Sequence, residues 1–199
     1  AMVALLLPRL GFSQGEWSRK LVHIGAGVVV PIAWVCGIDR LVAIPAAALI
    51  TLAAAFNHRR RLLPAIEDVG RHSYGTVAYG ASITLLLLLW WPQRADAVAA
   101  GVLVMALGDG SAGLVGARVP SFSWSLLGQR RSLAGTATMA LVSLGVLATL
   151  AASLPAGPSA PVVVSIAAGA ALLEQIGWLG VDNLTVPLAD AWLWQRFGG

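Results

Sequence analysis

An all-α fold, a polytopic bundle of transmembrane helices, is what this chain predicts, and three observations carry the prediction. Only 11% of its 199 residues are charged and the mean hydropathy is +0.80, whereas about a quarter of an ordinary soluble domain is charged. The apolar residues fall into runs joined by short polar connections. None of these runs alternates with period two, which selects helices over a barrel. Crossing a hydrocarbon core of about 30 Å takes about 20 helical residues, so a chain of this length supplies about six or seven spans. Residues 1–199 are therefore expected to form a single integral membrane domain.

Taken in order, the opening Ala1-Met-Val-Ala-Leu-Leu-Leu-Pro-Arg9 is apolar, too short for a normal span and without a recognisable cleavage site. Residues 1–18 read as a partial or interfacial N-terminal helix. Apolar runs then cover roughly 21–38, 41–56, 74–91, 97–117, 132–153 and 161–179. A shorter run at 184–195, with Pro187 near its start, is short enough to be re-entrant. Polar punctuation falls at Asp39-Arg40, 58–73, 92–96, 118–131 and 154–160. The alanine-rich stretch 43–55 has the small residues that let membrane helices pack closely. Cys36 is the single cysteine, which excludes an internal disulfide and any cysteine-based zinc site.

The sequence pI near 10.2 does not point to nucleic acid, because the basic residues sit at the ends of apolar runs, where topology signals lie. Alternating the sides of successive runs gathers Arg19, Lys20, Arg59, Arg60, Arg61, Arg71, Arg118, Arg130 and Arg131 on one face and leaves Arg40 and Arg94 on the other. By the positive-inside rule the first face is cytoplasmic. His58 and Arg59 to Arg61 read as part of that signal, with attraction to anionic membrane lipids as a second role. Glu174, Asp182 and Asn183 fall near the same surface. The expected location is a cytoplasmic membrane of prokaryotic type, with the polar site facing the cytoplasm.

Four constellations carry chemistry. In Gly108-Asp-Gly-Ser-Ala-Gly-Leu-Val-Gly116, an aspartate lies in a membrane-depth segment, where a charge costs roughly 2.5 kcal/mol or more and calls for a partner. Helical spacing puts Asp109, Ala112, Gly113 and Gly116 on one face, so the carboxylate looks along a groove stripped of side chains, and Gly108 and Gly110 bare the flanking backbone. Ser111 belongs to the same motif. The glycines alone would also serve helix packing. The second constellation, Gly128-Gln-Arg-Arg-Ser-Leu-Ala-Gly135, brings Arg130, Arg131 and Ser132 to a helix start, suited to phosphate oxygens and equally to anchoring topology. The third places Lys20, His23 and Gly27 on one face, with Glu16 and Arg19 beside them. Lys20 and Arg19 suit phosphate charge, and His23 suits orienting or deprotonating a hydroxyl. The last, around Glu174, Asp182 and Asn183, supplies hard oxygen ligands of the kind magnesium takes, although Asp-Asn is also an ordinary helix cap.

In this order the motifs resemble the CTP-dependent polyprenol kinase family, which includes phytol kinases and dolichol kinases. Arg19-Lys-Leu-Val-His-Ile-Gly-Ala-Gly27 looks like its opening helix, and Ser73-Tyr-Gly-Thr with Tyr79 is similar to its Tyr-Gly segment. The Gly108–Gly116 run resembles its Gly-Asp nucleotide-site signature, Arg131-Ser-Leu-Ala-Gly135 its Lys-Ser-x-x-Gly element, and Asp182-Asn-Leu-Thr-Val-Pro187 its closing motif. The likeness covers about residues 16–190. Arg131 stands where lysine is usual, and Gly113 where phytol kinases often carry a second aspartate. The resemblance implies Mg2+-assisted transfer of the CTP γ-phosphate to a lipid alcohol such as a polyprenol or phytol. Asp109 would hold the metal with Asp182, Asn183 or Glu174. Gly108, Gly110, Ser111, Gly113, Gly116, Arg118, Arg130, Arg131, Ser132 and Gly135 would line the nucleotide site, and Arg19, Lys20 and His23 would act on the transferring group. Alternative readings are a cytidylyltransferase resembling CDP-diacylglycerol synthase, and a transporter or lipid-binding membrane protein.

Overall fold

The computed structural model describes residues 14–60 and 74–198, with side chains from Lys20 onward apart from Leu21. Helix α1 (Gln14–Val35) is followed by α2 (Arg40–Arg60), α3 (Gly75–Trp90) and α4 (Ala95–Leu103). A π-helical stretch, Val104–Asp109, runs on from α4 into α5 (Gly110–Arg118). Then come strands β1 (Ser123–Leu126) and β2 (Gln129–Ser132) and helices α6 (Leu133–Ala152), α7 (Ala160–Gln175) and α8 (Asp182–Phe197). Each apolar run of the sequence thus carries a helix. Three are long and apolar enough to cross a membrane: α2, the continuous Ala95–Arg118 and α6.

Two features depart from the sequence reading. Residues 14–18 are continuous with α1, so Arg19 and Lys20 lie on the same helix as His23. The basic connection after Arg118 holds an antiparallel hairpin within the otherwise helical chain. Its turn is Leu127-Gly128, with φ of +52° and +73°. Positive φ at both turn residues matches the twist of the flanking strands. Strand alternation then turns Arg130 outward and Arg131 inward, because successive side chains leave opposite faces.

The Ala95–Arg118 helix is the axis of the bundle. Its apolar window is 61% buried, against 6% for α2 and 17% for α6. Small residues make this possible: a Cβ on Gly101 would come 3.1 Å from Ala191 Cβ on α8. At one end of the bundle, the Trp91 indole donates to the Ile38 carbonyl at 2.9 Å, pinning the α1–α2 turn. Nearby, Arg94 donates to Asp96 at 3.0 Å, and Trp194 donates to the same carboxylate at 2.9 Å. Its hydrogen bonds to Asp96 hold the Arg94 guanidinium above its ordinary range. At the opposite end, the Tyr74 amide donates to the Leu179 carbonyl at 3.0 Å and the His58 ring tilts against Tyr74. The polar constellations collect at this second end.

Helix α2 packs along α3, where Thr51 and Thr84 share a hydrogen bond of 3.0 Å and Gly80 makes room for Thr51. Toward α1 it leaves a gap. Ala43, Ala46, Ala47 and Ala54 line that gap, so alanines that the sequence assigns to close helix packing border open space instead.

Asp190, on α8, is fully buried, and neither carboxylate oxygen has a hydrogen-bond partner among the described residues. An unsatisfied buried polar group costs about 1–3 kcal/mol, more when charged. Asp190→Asn is expected to raise the melting midpoint in detergent by about 2–4 °C, the shift that 1 kcal/mol produces at this size. A lowered midpoint would mean that the carboxylate has a stabilising partner.

Candidate active site

Asp109 ends the π-helical stretch, the i→i+5 geometry that recurs at functional sites. Asp109, Ala112, Gly113 and Gly116 form one wall of a cleft of about 550 Å³. Arg118, Arg130, Arg131, Ser132, Gly135 and Glu174 complete much of its lining. The spacing argument for a shared face therefore holds in three dimensions. Ser111 is outside this lining.

The glycines of the motif do different jobs. Gly113 lies under Lys20: a Cβ there would overlap the ammonium, whose Nζ donates to the Gly110 carbonyl at 3.4 Å. Gly110 makes room for Ile24 of α1. Gly108 faces α6, where a Cβ would come 2.7 Å from Met139 Sδ and 2.9 Å from Ser143 Oγ. Gly116 and Gly135 let α5 and α6 cross closely, a Cβ on Gly116 falling 3.3 Å from Gly135 Cα. Gly113→Ala must push the Lys20 ammonium aside while leaving the helix crossings intact. Since a misplacement of about 1 Å can cost 10²-fold, kcat/KM is expected to fall by about 10- to 100-fold with little change in melting midpoint. Wild-type rates in that variant would separate Lys20 from the chemistry.

Of the α1 constellation, Lys20, His23 and Gly27 share the face that the spacing predicts. Gly27 meets Ala106 and the Tyr79 hydroxyl, and the His23 ring stacks on Tyr79 with centroids 3.8 Å apart. Tyr79 in turn donates to the Val102 carbonyl at 3.2 Å. His23 and Tyr79 line the gap between α1, α2 and α3, an apolar groove of about 320 Å³. The polar cleft and this groove therefore lie on either side of the Lys20–His23 turn of α1, about 5 Å long. Glu16 and Ser73, the Arg19 side chain, Arg61 and Arg71 lie outside the described residues.

Arg131 is engaged differently from its assignment to phosphate. Its Nη1 pairs with Glu174 Oε1, and its Nη2 donates to the Glu174 carbonyl at 2.6 Å and the Gly177 carbonyl at 3.2 Å, 3.8 Å from Asp182 Oδ2. It braces the hairpin against the α7–α8 connection. Ser132 caps α6, accepting from the Gly135 amide at 3.2 Å. Asn183 Nδ2 donates to Asp182 Oδ1 at 3.2 Å and the Gly180 carbonyl at 3.3 Å. Asp182 and Glu174 are thus drawn onto Arg131, and among the described residues no three His, Cys, Asp or Glu side chains converge as a metal cage. Asp109 and Glu174 are the carboxylates on the cleft wall.

Sequence reasoning missed Gln175, whose Nε2 bridges Thr136 Oγ1 at 3.0 Å and Glu174 Oε2 at 2.7 Å. Its adjacency to Glu174 was the available signal. Arg130, in contrast, is exposed at the cleft mouth, donating to Ser123 Oγ at 3.4 Å.

Comparison with known proteins agrees with these residues. A curated phytol kinase from Synechocystis sp. is 42% identical over 194 residues, spanning 96% of this chain and 83% of that protein. The chain belongs to the phytol kinase-like family of prenol kinases. No protein-family model matches it, and no solved structure does. Lys20, His23, Asp109 and Arg130 of this prenol kinase are the side chains at the cleft or beside it whose chemistry suits phosphoryl transfer.

Proposed function

We propose that this kinase transfers the γ-phosphate of CTP to the hydroxyl of an isoprenoid alcohol, phytol or a relative of it, with Mg2+, at the cytoplasmic face of a membrane crossed by six or seven of its helices. One observation carries the reading: a cationic cleft walled by Asp109 and bare glycine backbone adjoins an apolar groove at the His23–Tyr79 pair. A nucleotide phosphate and a prenyl tail need these two environments, and the reacting hydroxyl needs their junction. The name of the Synechocystis relative supports the same acceptor.

In the reaction, the alcohol oxygen attacks the γ-phosphorus and the bond from that phosphorus to the β-phosphate oxygen breaks. CDP leaves with the electron pair, and His23 takes the hydroxyl proton. Lys20 and Arg130 offset the charge on the phosphate oxygens, which suits a transfer governed mainly by positioning and electrostatics. Arg131 keeps the cleft wall upright through Glu174. Asp109 fits the magnesium mode of one carboxylate completed by water and phosphate oxygens. Bound there, the ion would neutralise phosphate charge.

Purified protein in lipid nanodiscs, given phytol and γ-labelled CTP, is expected to yield labelled lipid phosphate and CDP. Chelation with EDTA should stop the reaction and added Mg2+ restore it. Pyrophosphate and a CDP-lipid would instead identify a cytidylyltransferase. Equal background with CTP, ATP and no nucleotide, across several lipid alcohols, would overturn the kinase reading for these substrates.

A further inference from the structure

The groove between α1, α2 and α3 has a property that helix packing does not explain. Ala43, Ala46, Ala47 and Ala54 present small side chains where α2 meets no neighbouring helix, and the space they leave is unfilled. In membrane bundles such residues normally mark close backbone approach. The groove opens sideways past Val42 and Ile50, which are 61% and 66% exposed. Its far end has a floor: Ile38 and Leu87 lie across it, and the Trp91 indole locks the Ile38 carbonyl in place.

We infer that this groove seats the isoprenoid tail of the acceptor, and that its floor makes it a ruler that sets the acceptor's chain length. The inference rests on the proposed alcohol kinase reaction and adds the residues that choose among alcohols. Three observations favour the tail over a bulk lipid as the occupant. The groove's polar end is formed by His23, Tyr79 and Thr76, one helical turn from Lys20, so a tail lying in it brings its own hydroxyl to the cleft. From His23 to Ala33 the groove follows α1 for about 15 Å, half the roughly 30 Å hydrocarbon core. A chain of a few isoprene units fills that depth, and a long polyprenol has to bend out through the side opening. The wall is alanine along its whole length, which gives an unbranched path for a chain bearing methyl branches.

The test is a series of geraniol, farnesol, phytol, geranylgeraniol and a long polyprenol, assayed with full-length wild-type enzyme and three variants in nanodiscs. Ala47→Phe blocks the middle of the groove and is expected to lower kcat/KM for phytol and geranylgeraniol at least tenfold, with geraniol within about threefold of wild type. Leu87→Ala lowers the floor and should raise the rate on the long polyprenol relative to phytol. Leu49→Phe, on an exposed face outside the groove, should leave the chain-length profile unchanged, and melting midpoints report folding of all three. Proportional loss on every alcohol in Ala47→Phe, or an unchanged profile in both groove variants, would overturn the ruler while the kinase reaction stands. Failure of wild type on every alcohol would overturn the reaction and the ruler with it.

Discussion

Asp109→Asn is expected to remove lipid phosphate formation, by at least about 10²-fold, while the protein still folds and enters the membrane. Asparagine has nearly the same shape and keeps the helix, so the change isolates the charge. The effect is large because a carboxylate holding a metal against transferring phosphate supplies several kcal/mol of charge stabilisation, and each 1.36 kcal/mol is tenfold in rate. Initial rates with labelled CTP measure the loss, and the melting midpoint measures folding. Activity within a few-fold of wild type would take Asp109 out of the reaction altogether.

Arg131→Ala should be the most destabilising change at the site. Arg131 and Glu174 are both largely shielded from solvent, with side-chain exposures of 15% and 7%, and the guanidinium also spans to Gly177 and Asp182. Removing one partner of a buried pair costs about 3–5 kcal/mol because it strands the other charge. A melting midpoint lower by about 10 °C or more follows at this chain length. Arg131→Lys is expected to recover little, since a lysine is a point charge and cannot repeat the fork that reaches a carboxylate and two carbonyls together. Pairing Arg131→Met with Glu174→Leu should restore part of the loss, because no lone charge is left. Wild-type stability in the single variant would show that the brace is unnecessary.

The helices were legible because runs of leucine, valine and alanine leave a helix as the economical way to satisfy the backbone in lipid. The Asp109 face was legible for a similar reason: three- and four-residue spacing is a local property, and Ala112, Gly113 and Gly116 line the cleft with it. What escaped notice depends on distance along the chain. Arg131 and Glu174 are 43 residues apart, so a basic motif at a helix start gave no hint that its guanidinium would be claimed by a carboxylate. Asp190 escaped because the sequence around it holds no motif, and only packing shows that it is enclosed. The alanines of α2 were read for what small residues commonly do, whereas their meaning here depends on α1 lying apart from them. The hairpin was hidden by Leu127, a residue that seldom occupies positive φ and therefore carries no turn signal.

The π-helical stretch bears on how this chain can vary over generations. Between Val104 and Asp109 the backbone accommodates a residue more than α pitch requires. Insertions and deletions are ordinarily absorbed in surface loops. Loss of a single codon here would let the helix close to α pitch and rotate all that follows by about 100°. Gly113 would leave Lys20, and Gly116 would leave Gly135. A smooth apolar stretch in the middle of the bundle thus has a fixed length, and an alignment gap placed there would separate descendants that keep this site from those that have lost it.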